Sequence, residues 1–114
     1  MQAFRLYLIV VIVCLGTYTL LVGINHGWNL LPLFFADIAA LTWPGQFNFD
    51  FTTFLFLSAF WVAWRNQFSV PGLALSVVAL FGGMMFLAPY LIYASLQANG
   101  DVKILLLGAA RAKV

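Results

Sequence analysis

The residues from Val70 to Leu96, VPGLALSVVALFGGMMFLAPYLIYASL, contain no charged side chain. As a helix this stretch would be about 40 Å long at about 1.5 Å per residue. A bilayer's hydrocarbon core is about 30 Å thick and takes about 20 apolar residues to cross. The whole chain leans the same way, with 65% hydrophobic and 7% charged residues, against about 25% charged residues in a soluble domain. A soluble fold of 114 residues could not cover that much apolar surface. The bilayer therefore has to act as solvent, and the backbone must satisfy its own hydrogen bonds, as helices do. The expected class is an all-α membrane protein forming a single domain.

Three transmembrane helices are expected, at about 6–24, 47–64 and 70–96. Leu6 to Ile24 is uncharged, with Arg5, Phe4 and Tyr7 at its outer edge. This apolar run continues to Ile24 without a small-x-small cleavage site, so it reads as an uncleaved anchor rather than a signal peptide. Between the first two spans, LLPLFFADIAAL is too short to cross. Bracketed by Trp28 and Trp43, it reads as an interfacial helix at about 31–42, with re-entry as the alternative. The turn RNQFS leads to Pro71, which suits the first turn of the next helix. Tyr90 and Tyr93 would then lie on the side of Trp28 and Trp43. Asn99-Gly100-Asp101 reads as a stop and restart, with Gly100 left-handed and Asp101 capping a short C-terminal surface helix. Three spans place the termini on opposite faces, Arg5 and Arg65 on one and Lys103, Arg111 and Lys113 on the other. The long loop carries no lysine or arginine, which favours a cytoplasmic N-terminus.

Few residues could carry chemistry. Cys14 is the only cysteine, which excludes an internal disulfide and CxxC redox chemistry. Between Leu6 and Ile24, Phe51 and Trp64, and Val70 and Leu96 there is no Asp, Glu, His, Lys or Arg, whereas a proton-coupled transporter needs a titratable group at membrane depth. The small multidrug exporters are of similar length but depend on a buried glutamate, and this chain has no glutamate. Asp50 opens the second span and reads as an N-cap, or else as a polar contact with a partner subunit or ligand. Asp37 is the lone charge of the short helix, facing water or buried against a polar group. His26 reads as a solvated loop histidine, with haem or bacteriochlorophyll ligation as the sharper alternative. Gly72, Ser76, Ala79 and Gly83 form a small-residue seam suited to close helix packing, within the chain or against another subunit. Pro89 is expected to kink the third helix near Met85. The phenylalanines and methionines face acyl chains or line a site for a quinone or carotenoid.

The run Trp43-Pro44-Gly45-Gln46-Phe47-Asn48-Phe49-Asp50-Phe51, the span end at Trp61 to Arg65, and the tail from Gly100-Asp101 to Leu105-Leu106-Leu107-Gly108 resemble a group of small bacterial integral membrane proteins of unknown function. The resemblance implies a three- or four-helix protein of the bacterial inner membrane and supplies no catalytic residue. The leading expectation is a non-enzymatic accessory or structural subunit of a larger membrane complex, of a bioenergetic or photosynthetic kind. Its partners would be lipids and other membrane subunits, or copies of itself, and not nucleic acid. The alternatives are a binder of a lipophilic cofactor (a lipid, quinone, carotenoid or bacteriochlorophyll) and a small homo-oligomeric transporter or channel. With no nucleophile–base pair or metal cluster in the sequence, an enzyme is the least expected class.

Overall fold

The computed structural model describes residues 1–113. Among the described residues there are seven helices and no strand. They are α1 (Gln2–His26), α2 (Leu30–Ala39), α3 (Trp43–Arg65), α4 (Val70–Gly82), α5 (Met84–Gln97), α6 (Val102–Leu107) and α7 (Ala109–Ala112). One of them, α1, is long and apolar enough to cross a membrane by length and composition. At 23 residues α3 is nearly as long, but it carries Asn48, Asp50 and paired threonines in its first half.

Several helix ends follow the local chemistry. Pro44 and Pro71 sit in the first turns of α3 and α4, where the missing proline N–H has no partner to lose. Ser69 caps α4 by accepting from the Gly72 amide at 3.1 Å. Asp101 caps α6 as expected, its Oδ1 accepting from the Lys103 amide at 2.9 Å. Gly100 is left-handed at φ 81°.

The long apolar segment is not one helix. It breaks between Gly82 and Met84, at Gly83, whose φ of 55° and ψ of −139° lie outside helical space. The two halves double back on each other. Asn66 shows this, because it touches both arms: its Cβ lies 2.5 Å from where a side chain on Gly72 would begin. Its amide also donates to Tyr90 Oη at 2.9 Å. The tip, Gly83, lies against Phe51 and Leu55 in the middle of α3. This hairpin replaces the single third span expected at about 70–96. The reversal also falls six residues before Pro89, and α5 runs on through that proline.

The hairpin's two arms bridge the long helices. α4 packs along α3, and α5 packs antiparallel on α1. The buried core is correspondingly small and rich in alanine: Leu8, Val62, Ala63, Ala79, Ala88, Ala94, Ser95, Ala98 and Leu105. Small side chains let helix backbones approach closely. A second cluster joins Ala94, Ala98 and Leu105 to Met1, Phe4, Leu91 and Ile104. It brings the tail back beneath the start of α1.

This path changes which residues share an end. Arg5 meets Ser95, and Arg65 meets Tyr90 and the Leu105 carbonyl. Met1, Arg5, Arg65 and the α6–α7 tail with Lys103, Arg111 and Lys113 therefore lie at one end, here termed basal. The expected placement of the termini and their basic residues on opposite faces is corrected. So is the placement of Tyr90 beside Trp28 and Trp43, which lie at the distal end.

The distal end carries α2. It docks on the start of α3 where Gly45 meets the backbone of Asp37 and Ile38 with no room for a Cβ. The Asn48 side chain donates to the Phe34 carbonyl at 3.2 Å. Trp43, expected to end the short helix, instead begins α3. Between them Leu41 holds φ 58° while 92% exposed. A left-handed conformation costs an L-residue about 1–2 kcal/mol. Leu41→Gly is therefore expected to raise the unfolding free energy by about 1 kcal/mol, measured by denaturant titration in micelles.

Candidate functional site

Two regions stand out: a polar base and an apolar groove above it. At the base, arginines serve as hydrogen-bond hubs. Arg5 Nε donates to Ser95 Oγ at 2.9 Å and its guanidinium also donates to the Ser95 carbonyl at 3.0 Å. Arg65 Nε donates to the Leu105 carbonyl at 2.7 Å, and its terminal nitrogen donates to Tyr90 Oη at 3.1 Å. Arg111 stacks 4.4 Å over the Trp64 ring and donates to the Trp64 carbonyl at 3.1 Å. Trp61 Nε1 donates to the Leu106 carbonyl at 3.0 Å. These partners are neutral oxygens, so the base is clamped by charge-assisted hydrogen bonds. Gly108 completes it. A Cβ there would meet the Arg65 carbonyl at 2.7 Å, and its φ of 83° already favours glycine.

The groove lies at the hairpin tip, against α3. It has a volume of about 360 Å³ and is lined by Phe51, Phe54, Leu55, Leu57, Ser58, Trp61, Gly83, Met84 and Leu87. Ser58 Oγ is buried there without a hydrogen-bond partner. A second hollow of about 390 Å³ lies between α2 and α3, around Ile38, Thr42, Gly45 and Phe49.

The residues singled out from the sequence do not converge. Of the seam, Gly72 and Ala79 are buried, while Ser76 and Gly83 are half-buried. Ser76 returns its hydroxyl to the Leu73 carbonyl, and Gly83 forms the hairpin tip. Asp50 is no N-cap: it lies in the second turn of α3, which follows Thr42. It is exposed, as is Asp37 on α2. His26 is exposed in the last turn of α1. Cys14 is exposed. Among the described residues, no group of three or more His, Cys, Asp or Glu side chains is placed to hold a metal ion.

Sequence reading missed the basal clamps and Ser58. The clamps had a faint signal in the second small-residue stripe, Ala88, Ser95 and Ala98, which is the face of α5 turned inward. Ser58 had none, because a lone serine in an apolar helix ordinarily bonds its own backbone.

Comparison with protein-family models, curated proteins and solved structures finds no match to this chain.

Proposed function

We propose that this chain is a non-enzymatic integral membrane subunit, in which α1 and α3 cross the bilayer and the α4–α5 hairpin enters and returns on the basal side. At about 1.5 Å per residue, α1 and α3 are about 37 and 34 Å long, enough for a core of about 30 Å. The hairpin arms, at about 20 Å each, are not. The long dimension of the molecule, 47 Å, suits a bilayer with its headgroups, about 40–45 Å.

One observation carries the subunit reading: the fold is packed in one half and open in the other. The hairpin tip reaches α1 only as far as Gly16, which Met85 touches. Beyond it, every residue from Thr17 to Val22 is exposed around the full turn of α1. Large apolar side chains, Tyr18, Leu20 and Leu21 among them, point outward there. α3 at this level packs on α2, while the main packing partner of α1 is α5. A helix of another membrane subunit, or of a second copy, would fill the gap between α1 and α3.

A photo-reactive residue at Leu21, activated in native membranes, is expected to join the chain to one discrete protein band. Adducts to lipid alone would reject the subunit role. Topology is tested separately. All five lysines and arginines lie at the basal end, and Asp37, Asp50 and His26 at or beyond the hairpin tip. By the positive-inside tendency the basal end faces the cytoplasm. Reporters fused to the N- and C-termini are expected to report the same, cytoplasmic, side. Opposite sides would restore a three-span arrangement.

A further inference from the structure

The apolar groove at the hairpin tip runs down toward the cationic end of the molecule. Its α3 wall extends from Phe51 to Trp61, about 15 Å of helix at about 1.5 Å per residue. Gly83, Met84 and Leu87 form the other wall. Ser58 is the one hydroxyl in the lining, and its oxygen is buried. The Trp61 N–H is taken by the Leu106 carbonyl at 3.0 Å. The surface on offer is therefore hydrocarbon. Phe54 and Leu57 at the rim are 62% and 66% exposed, so the groove opens sideways.

At its basal end the groove meets positive charge. Leu57, Trp61 and Trp64 are spaced i, i+4 and i+7, so they share one face of α3. One turn below Trp61, the Arg111 guanidinium lies 4.4 Å over the Trp64 ring, and its Nε donates to the Trp64 carbonyl at 3.1 Å. Both terminal nitrogens of Arg111 are without a partner among the described residues. Lys113, two residues on, is exposed, as is Lys103. Arg5 and Arg65 bond neutral oxygens. Asp101 is the only acidic side chain at this end, and its Oδ1 accepts from the Lys103 and Ile104 amides. Five basic side chains are thus set against one carboxylate. Basic residues beside a membrane span attract anionic lipids, and this excess of charge is complementary to an anionic headgroup.

We infer that the groove and the basal cations form one site for an anionic phospholipid. An acyl chain lies in the groove between α3 and α5. Trp61 sits at the boundary of chain and headgroup, and Arg111 and Lys113 hold the phosphate. A zwitterionic phospholipid fills the groove equally well but leaves the excess charge unmatched. A soluble anion meets the charge and leaves the groove empty. This rests on the membrane reading above.

The test uses the full chain in phosphatidylcholine vesicles with a trace of phosphatidylglycerol or phosphatidylcholine, each spin-labelled on its acyl chain. Electron paramagnetic resonance reads the motionally restricted share of each lipid. Phosphatidylglycerol is expected to associate about tenfold more strongly than phosphatidylcholine. Arg111→Gln is expected to cut this preference about fivefold, the worth of one basic residue at an anionic surface. Lys113→Gln, at an exposed side chain, should cut it about two- to fivefold without loosening the tail. Leu87→Trp fills the groove and leaves every charge in place, and should remove most of the preference while the circular dichroism is unchanged. A preference untouched by Leu87→Trp would put the lipid on the charged surface alone and overturn the site. Equal association of the two lipids, or a preference indifferent to both glutamine variants, also overturns the site and leaves the membrane reading standing. No restricted component for either lipid overturns both.

Discussion

Replacing Gly83 with valine is expected to unfold the α4–α5 hairpin and lower the stability of the protein in micelles by about 2–4 kcal/mol. Two costs combine. The backbone at φ 55° and ψ −139° lies in a region that essentially only glycine visits, worth about 1–3 kcal/mol for another residue. A Cβ there would also sit 3.1 Å from the Phe51 ring, and valine adds two methyl groups to that contact. Gly27→Ala is the control. Gly27 also lies in that glycine-only region, at φ 85° and ψ 171°, but has open space around it. Its substitution is expected to cost only the backbone term, about 1–3 kcal/mol, without the steric term that Gly83 adds. Thermal or denaturant unfolding followed by circular dichroism measures both. Equal effects at the two positions would show that the hairpin tip is not held by its surroundings.

Arg65→Ala should have a comparable effect through a different route. Arg65 is half-buried and donates to the Leu105 carbonyl and to Tyr90, with its guanidinium 5.6 Å from the centre of the Tyr90 ring. Hydrogen bonds from charged groups contribute about 1.5–3 kcal/mol each when buried. Partial exposure reduces this, so a loss of about 2–3 kcal/mol is expected. The loss should be regional: amide exchange in α6 should accelerate more than in α3. Arg65→Lys keeps the charge but not the forked geometry, and should recover less than half of the loss. Full rescue by lysine would mean that charge alone holds the tail.

The limits of sequence reading show in particular residues. The helix starts at Pro71 and Asp101 were legible because proline and a capping carboxylate act within one turn. The run Gly82-Gly83 was visible as well, yet the bend was expected at Pro89. Proline advertises itself through its own missing amide. Glycine only permits a reversal, and whether one occurs depends on contacts far along the chain. The contacts that hold this reversal join Asn66 to Tyr90 and Arg5 to Ser95, the latter 90 residues apart. No local pattern contains them. The same gap misplaced Tyr90, Lys103 and Arg111, since one reversal moves everything after it to the other end. Asp50 failed for a simpler reason. Its apolar neighbours suggested a helix start, but Thr42 and Pro44 begin α3 two turns earlier.

The pairing of α1 with α5 has a consequence for the order of assembly. α1 is synthesised before the other described helices, but its main packing partner begins at Met84. Contacts as distant as Arg5 with Ser95 require closing nearly the whole chain into a loop, which is slow compared with the local pairings of α2 with α3 and α3 with α4. α1 must therefore wait as a solitary helix while the middle of the protein folds around α3. Its docking is the closing step, and variants that weaken the α1–α5 seam should accumulate a species with α2, α3 and α4 already assembled and α1 still adrift.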